Sequence, residues 1–167
     1  MNSIPLFKVV IAGDENVGKT SLVRQFCEGR FERSRVSTIG VDFQTKIVKL
    51  PEGEVKLSIW DMAGQERFEI VRTGFYRGAR ATALVYDLGN NQTLEHLQRW
   101  HNETLTNSTC RKFLVIGNKA DAVETADTRG AEEFARLIGA EHILTSAATS
   151  QGMEPMFTKL ANLAVVL

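Results

Sequence analysis

The segment "GDENVGKT" (Gly13–Thr20) decides the fold. Its glycines, lysine and threonine fit the spacing G-x-x-x-x-G-K-[ST] of a phosphate-binding loop. The run before it, "LFKVVIA" (6–12), reads as a buried strand, and the run after it, "KTSLVRQFC" (19–27), reads as a helix. In that order, successive backbone N–H groups form a nest for phosphate oxygens, and the helix aims its positive end at them. Lys19 is placed to reach β- and γ-phosphates, and the hydroxyl of Thr20 to ligate Mg²⁺. Glu15, Asn16, Val17, Gly18, Lys19, Thr20 and Ser21 are therefore predicted to bind the nucleotide. The motif alone gives a nucleoside triphosphate and leaves the base open. Two acids, Asp14 and Glu15, stand in the loop. Because the loop holds phosphate through its backbone, their side chains can point outward; that reading accounts for Asp14 and leaves Glu15 open. Asn16 is expected in the left-handed conformation that asparagine tolerates better than most residues.

Outward from the loop, short β-rich runs alternate with helical ones. "FQTKIVKL" (43–50) and "EVKLSIW" (54–60) alternate with period two and are separated by "PEG", a hairpin signature. "ATALVYDL" (81–88) and "KFLVIGN" (112–118) read as short buried strands. "TLEHLQRWHNETL" (93–105), "TRGAEEFARLI" (128–138) and "MEPMFTKLANLAVVL" (153–167) have helical spacing, with Leu94, Leu97 and Leu105 on one face beside Trp100. This order predicts an α/β architecture, a mostly parallel sheet covered on both faces with one antiparallel edge strand. Ligands of such sheets bind at the carboxyl ends of the strands, where every motif of this chain falls.

The 167 residues suffice for a single domain spanning 1–167. Lys+Arg and Asp+Glu are equal at 20 each, which argues against bulk electrostatic binding to nucleic acid or anionic membrane. Two cysteines, Cys27 and Cys110, are too few for a disulfide framework and read as reduced thiols of a cytoplasmic protein. No run approaches the length of a membrane span, and the N-terminus lacks a secretory pattern. The final segment "ANLAVVL" holds no cysteine for prenylation, so either the protein is not lipidated there or a tail lies outside this chain.

Two further segments address the base and the γ-phosphate. "NKAD" (118–121) follows a strand. The carboxylate of Asp121 can accept both N–H groups on one edge of guanine, a contact adenine cannot make. Asn118 suits the other edge, the Lys119 stem suits packing on the base, and in "TSA" (145–147) the Ala147 N–H suits the keto oxygen. In "WDMAGQE" (60–66), Asp61 can hold Mg²⁺ through water, the Gly64 N–H can touch a γ-phosphate, and Gln65 can orient the attacking water. Thr38, in "VSTIGVDF", offers a second hydroxyl for Mg²⁺. The expected metal set is thus Thr20, Thr38 and Asp61, and the expected catalytic set Gln65, Lys19 and Thr38.

With these motifs in view, the chain resembles the Ras-like small GTPases, and within them the Rab branch. The resemblance rests on "GDENVGKT", "STIGVDF", "KLSIWDMAGQERF", "FYRGA", "LVYDL", "NKAD" and "TSA", and covers nearly the whole chain. It implies a P-loop NTPase fold with a six-stranded, mostly parallel sheet and five helices. It also implies a GTP/GDP switch with Mg²⁺, and slow hydrolysis gating partner binding in vesicle traffic. Segments 33–42 and 62–77 would sense the γ-phosphate and be read by exchange factors, activating proteins and effectors. The expected state is a monomer without nucleic-acid partners, on the cytoplasmic face of endomembranes if a lipidated tail exists. Phe31 matches the aromatic that packs on the base edge, and Ser146, Ala147 and Ala148 complete the base pocket. Phe43, Trp60 and Phe75 are placed to form an aromatic cluster read by effectors, with core packing as the alternative.

The chain departs from the family pattern at particular positions. Ala148 stands where the motif has a lysine, Arg35 where an aromatic covers the phosphates, and Glu15 where a small residue is usual. Glu15 is expected to crowd Gln65 and slow hydrolysis, with Arg35 as its potential partner; the alternative is a side chain that points to water without effect. These departures keep open a second reading, a degenerate GTPase acting as a scaffold with little hydrolysis. A P-loop metabolic kinase leaves "NKAD" unexplained.

Overall fold

The computed structural model describes residues 3–31 and 40–166. Strands are β1 (Leu6–Ala12), β2 (Val41–Leu50), β3 (Gly53–Met62), β4 (Ala81–Asp87), β5 (Phe113–Asn118) and β6 (Glu141–Leu144). Helices are α1 (Lys19–Glu28), α2 (Glu69–Thr73), α3 (Asn91–Glu95), α4 (Leu97–Asn107), α5 (Arg129–Leu137) and α6 (Met153–Val165). Since α3 and α4 abut at His96, they form one helical passage, and the expectation of five helices holds.

The sheet runs β2-β3-β1-β4-β5-β6. Among the described residues only the β2–β3 strand pair is antiparallel, as the hairpin signature predicts; it pairs from Val41 opposite Met62 to Leu50 opposite Gly53. The other four pairings are parallel. Period-two alternation divides the central strands between two cores. Val9 and Ile11 of β1, Ala83 and Val85 of β4, and Leu114 and Ile116 of β5 pack with Leu22 of α1 and Met156, Phe157 and Leu160 of α6. Val10 and Ala12, Leu84 and Tyr86, and Phe113 and Val115 pack on the other face with Leu97 and Trp100 of α4 and Ala131 and Ala135 of α5. With both faces covered, these strands read as continuous apolar runs in the sequence.

Two elements escape the period analysis. β6 is only four residues long, and α2 is a short helix whose buried residue is the charged Arg72. Among the described residues, no helix is long and apolar enough to cross a membrane.

Candidate functional site

The site assembles at the carboxyl ends of β1, β3, β4 and β5. The loop after β1 turns on Gly13, whose φ is 151°; a Cβ there would stand 2.2 Å from the Val85 carbonyl oxygen of β4. Asn16 takes the left-handed conformation expected of it, with φ of 68°. Gly18 caps α1 at φ 96°, and a Cβ on it would meet the Asn118 amide at 2.4 Å. Any side chain at Gly13 or Gly18 would therefore displace the loop.

Lys19 lies folded back over this loop. Its ammonium donates to the carbonyls of Gly13 at 2.8 Å and Asp14 at 2.7 Å. Burial lowers its pKa from 10.5 to about 8, against the pull of the nearby Asp61, Asp14 and Glu15 carboxylates. The Thr20 hydroxyl donates to Asp61 Oδ2 at 2.5 Å, joining the start of α1 to the end of β3. Among the described residues no group of three His, Cys, Asp or Glu side chains is placed to hold a metal, so the candidate oxygen donors here are the Thr20–Asp61 pair. Thr38 and Arg35 lie outside the described residues, as does most of segment 33–42.

Gly64 lies directly on the phosphate loop: a Cβ at this position would stand 2.3 Å from the Glu15 nitrogen. Gln65 follows, with both ends of its amide engaged. Nε2 donates to Glu15 Oε1 at 2.9 Å, and Oε1 accepts from Arg67 Nε at 2.5 Å. The contact of Glu15 with Gln65 anticipated from the sequence is thus a hydrogen bond. The pair opens onto a groove of ≈ 910 Å³ bordered also by His96 and Arg99.

Asp14 departs from expectation. Its side chain does not point outward but is mostly buried against α4: Oδ1 accepts from Trp100 Nε1 at 2.8 Å, Oδ2 lies 2.5 Å from His96 Nδ1, and Arg99 stands 3.6 Å away. The physical reason is the indole N–H of Trp100, whose ring is buried and which needs an acceptor there.

The residues expected to meet the base are cross-linked within the protein. Asn118, buried, donates from Nδ2 to the Val17 carbonyl at 2.9 Å and accepts the Thr145 hydroxyl on Oδ1 at 2.9 Å. It fastens the phosphate loop to the end of β6, leaving one amide hydrogen and lone-pair capacity for a ligand. Lys119, at φ 66°, reaches the Asn16 carbonyl at 2.6 Å and Asp87 at 3.1 Å, so its stem crosses between loop and sheet. Asp121 Oδ1 accepts the buried Ser146 hydroxyl at 2.7 Å, which aims the carboxylate. Ala147 is buried, Ala148 is half-buried and Phe31 is exposed. Thr145 and Asp87 were not singled out in the sequence; their positions directly after β6 and at the end of β4 were the available signal.

A glycine loop between β1 and α1, a buried lysine folded over it, and a hydroxyl–carboxylate pair beside it define a P-loop nucleotide-binding domain. Comparison with known proteins narrows the class. A model of the Ras family matches residues 8–165. The chain is 38% identical over 159 residues to Ras-related protein Rab-13 of Bos taurus, covering 93% of this chain and 78% of that protein. It is 41% identical over 157 residues to Ras-related protein Rab11A of Lotus japonicus, covering 92% and 69%. It is 38% identical over 160 residues to GTP-binding protein YPTM1 of Zea mays, covering 93% and 76%. The chain belongs to the Ras family of small GTPases, on its Rab branch, a family of guanine-nucleotide-binding GTP hydrolases.

Proposed function

We propose that this chain is a slow GTP-hydrolysing switch that controls partner binding in vesicle traffic. The observation that carries the reading is the convergence of Lys19, the Thr20–Asp61 pair, Gln65 and the Asn118–Asp121–Ser146 pocket around one loop. The site fits GTP with Mg²⁺. A wholly buried ammonium resting on two carbonyls gains from anionic oxygens, and Gly13, Gly18 and Gly64 leave no side chain in the cradle. The Thr20 hydroxyl and the Asp61 carboxylate, bonded to each other, are oxygen donors of the kind Mg²⁺ takes, and Thr38 would supply a further hydroxyl; the ion when bound would neutralise charge on the phosphates.

Within this reading each residue has a stated task. Lys19 places positive charge on the β- and γ-phosphates. The backbone of Glu15 to Ser21 would position them, and the Gly64 N–H would touch the γ-phosphate. Asp121 accepts the two N–H groups of guanine, Ala147 N–H meets its keto oxygen, and Lys119 and Phe31 flank the ring. Gln65 orients the attacking water, with Thr38 closing the site. Its amide is held by Glu15 and Arg67, so hydrolysis waits on release of that side chain.

Segments 33–42 and 62–77 would loosen when the γ-phosphate leaves. Exchange factors, activating proteins and effectors would read the difference. Phe43 stacks on Trp60 at 4.9 Å between centroids, and Trp60 meets Phe75 at 5.5 Å. With Phe43 and Phe75 partly exposed, this cluster offers effectors an apolar surface beside the second segment. Attachment to the cytoplasmic face of endomembranes would depend on a lipidated tail. The test is to denature purified protein and identify released nucleotide by chromatography. GDP or GTP is the expected result; an empty site, or an adenine nucleotide, would overturn the reading.

A further inference from the structure

The buried charges of the second switch segment have no part in the site as described above. Arg72 of α2 is 3% exposed, and its guanidinium is bonded on every side. Nε and Nη2 donate to the two Glu103 oxygens at 3.1 and 2.9 Å, a bidentate pair with α4. Nη1 donates to the carbonyls of Ala63 at 2.8 Å and Gln65 at 2.5 Å. The guanidinium also lies over the Trp100 ring, 4.5 Å from its centroid. Glu103 in turn accepts the Tyr76 hydroxyl.

Two of these contacts are unusual in their target. The carbonyls of Ala63 and Gln65 flank Gly64, the residue lying on the phosphate loop. From the edge of the same ring, Trp100 Nε1 donates to Asp14 Oδ1 of that loop at 2.8 Å. Thus α4 grips both halves of the candidate hydrolytic site, the loop through Asp14 and the Gln65 main chain through Arg72. A side chain can orient a water only if its own Cα is held, and small displacements lower rates steeply.

We propose that Arg72 is a positioning residue for GTP hydrolysis, holding the Gln65 main chain against the phosphate loop while Glu103 holds Arg72. The proposal rests on the hydrolytic reading of Gln65. It requires the planar fork of arginine, because one group must serve a carboxylate and two carbonyls at once.

The test uses Arg72→Met/Glu103→Gln, which removes both buried charges together and leaves a side-chain oxygen for the Tyr76 hydroxyl. Single-turnover GTP hydrolysis is measured for wild type, the double variant, Gln65→Leu and the triple variant, with GDP dissociation and thermal unfolding alongside. The expected result is hydrolysis slowed about tenfold or more, with GDP dissociation changed less than about twofold. In the Gln65→Leu background the same substitutions should have no further effect on hydrolysis. Arg72→Lys, which keeps the charge without the fork, should be slow as well. Hydrolysis at the wild-type rate overturns the proposal alone. So does a slowdown of equal size in the Gln65→Leu background, or one tracking lost GDP retention and unfolding temperature, since either is the mark of a merely structural role. A wild type with no Gln65-dependent hydrolysis overturns the underlying reading and the proposal with it.

Discussion

Replacing Glu15 by Ser or Gly should accelerate single-turnover GTP hydrolysis about three- to tenfold. Gln65 Nε2 donates to Glu15 Oε1 at 2.9 Å, and its Oε1 accepts from Arg67 at 2.5 Å. To orient a water, the amide must first leave Glu15. A net hydrogen bond contributes about 0.5–1.5 kcal/mol, and more when one partner is charged. The Glu15 side chain is exposed, so solvent screening returns the value to that lower range. About 0.7–1.4 kcal/mol of barrier corresponds to roughly three- to tenfold in rate. The carboxylate also opposes negative charge on the phosphoryl oxygens, so both effects have the same sign. Glu15→Gln keeps an acceptor oxygen without the charge and should fall between wild type and Glu15→Ser. The assay loads protein with GTP, starts the reaction with Mg²⁺ and follows phosphate release. If the Ser and Gly variants hydrolyse no faster than wild type, Glu15 is not a brake and its bond to Gln65 has no kinetic meaning.

Asp121→Asn should weaken GTP binding and shift preference towards xanthine nucleotides, because the amide replaces an acceptor by a donor; competition with xanthosine triphosphate reads this, and unchanged GTP preference would reject the guanine contact. Lys19 gives a pH signature. Its folded pKa of about 8 lies below 10.5, so the free folded protein binds fewer protons than the unfolded chain between those values, and its stability rises with pH across that window. GDP phosphates raise the pKa again, so binding should take up about 0.5 proton at pH 8 and about 0.9 at pH 9. Calorimetry in buffers of different ionisation heat measures the uptake, and none at pH 9 would refute the buried cation. Ala148→Lys should slow release of fluorescent GDP several-fold by restoring a stem over the base, worth roughly 0.5–1 kcal/mol; unchanged or faster release would show that this position does not limit retention.

What the sequence revealed depended on how local each signal was. The loop, the hairpin and the covered central strands follow from contiguous residues, and their boundaries in the structure lie within two residues of the spans read from pattern. Asn16 was legible for the same reason: its left-handed φ is a property of one residue in a known turn. The buried placement of Asp14 is not legible in the sequence, because its partners His96 and Trp100 stand 82 and 86 positions away. Arg72 sits in "EIVRTGF", where no local pattern marks a buried charge; its carboxylate partner Glu103 stands 31 positions on. Asn118 was read as a base contact from its motif, but its bond to Val17, 101 positions earlier, shows a second task that no spacing rule encodes. β6, four residues long, is too short to show a period, and only the six-stranded sheet that the resemblance implies calls for it.

On this reading the chain hydrolyses GTP through Gln65. The direct measurement is phosphate release from the GTP-loaded protein after addition of Mg²⁺, under single turnover, for wild type beside Gln65→Leu. Slow release above the rate of GTP in buffer, slowed further in Gln65→Leu while GTP stays bound, is the predicted result. Bound GTP that is released only at the buffer rate, or a rate that Gln65→Leu leaves unchanged, would contradict the account.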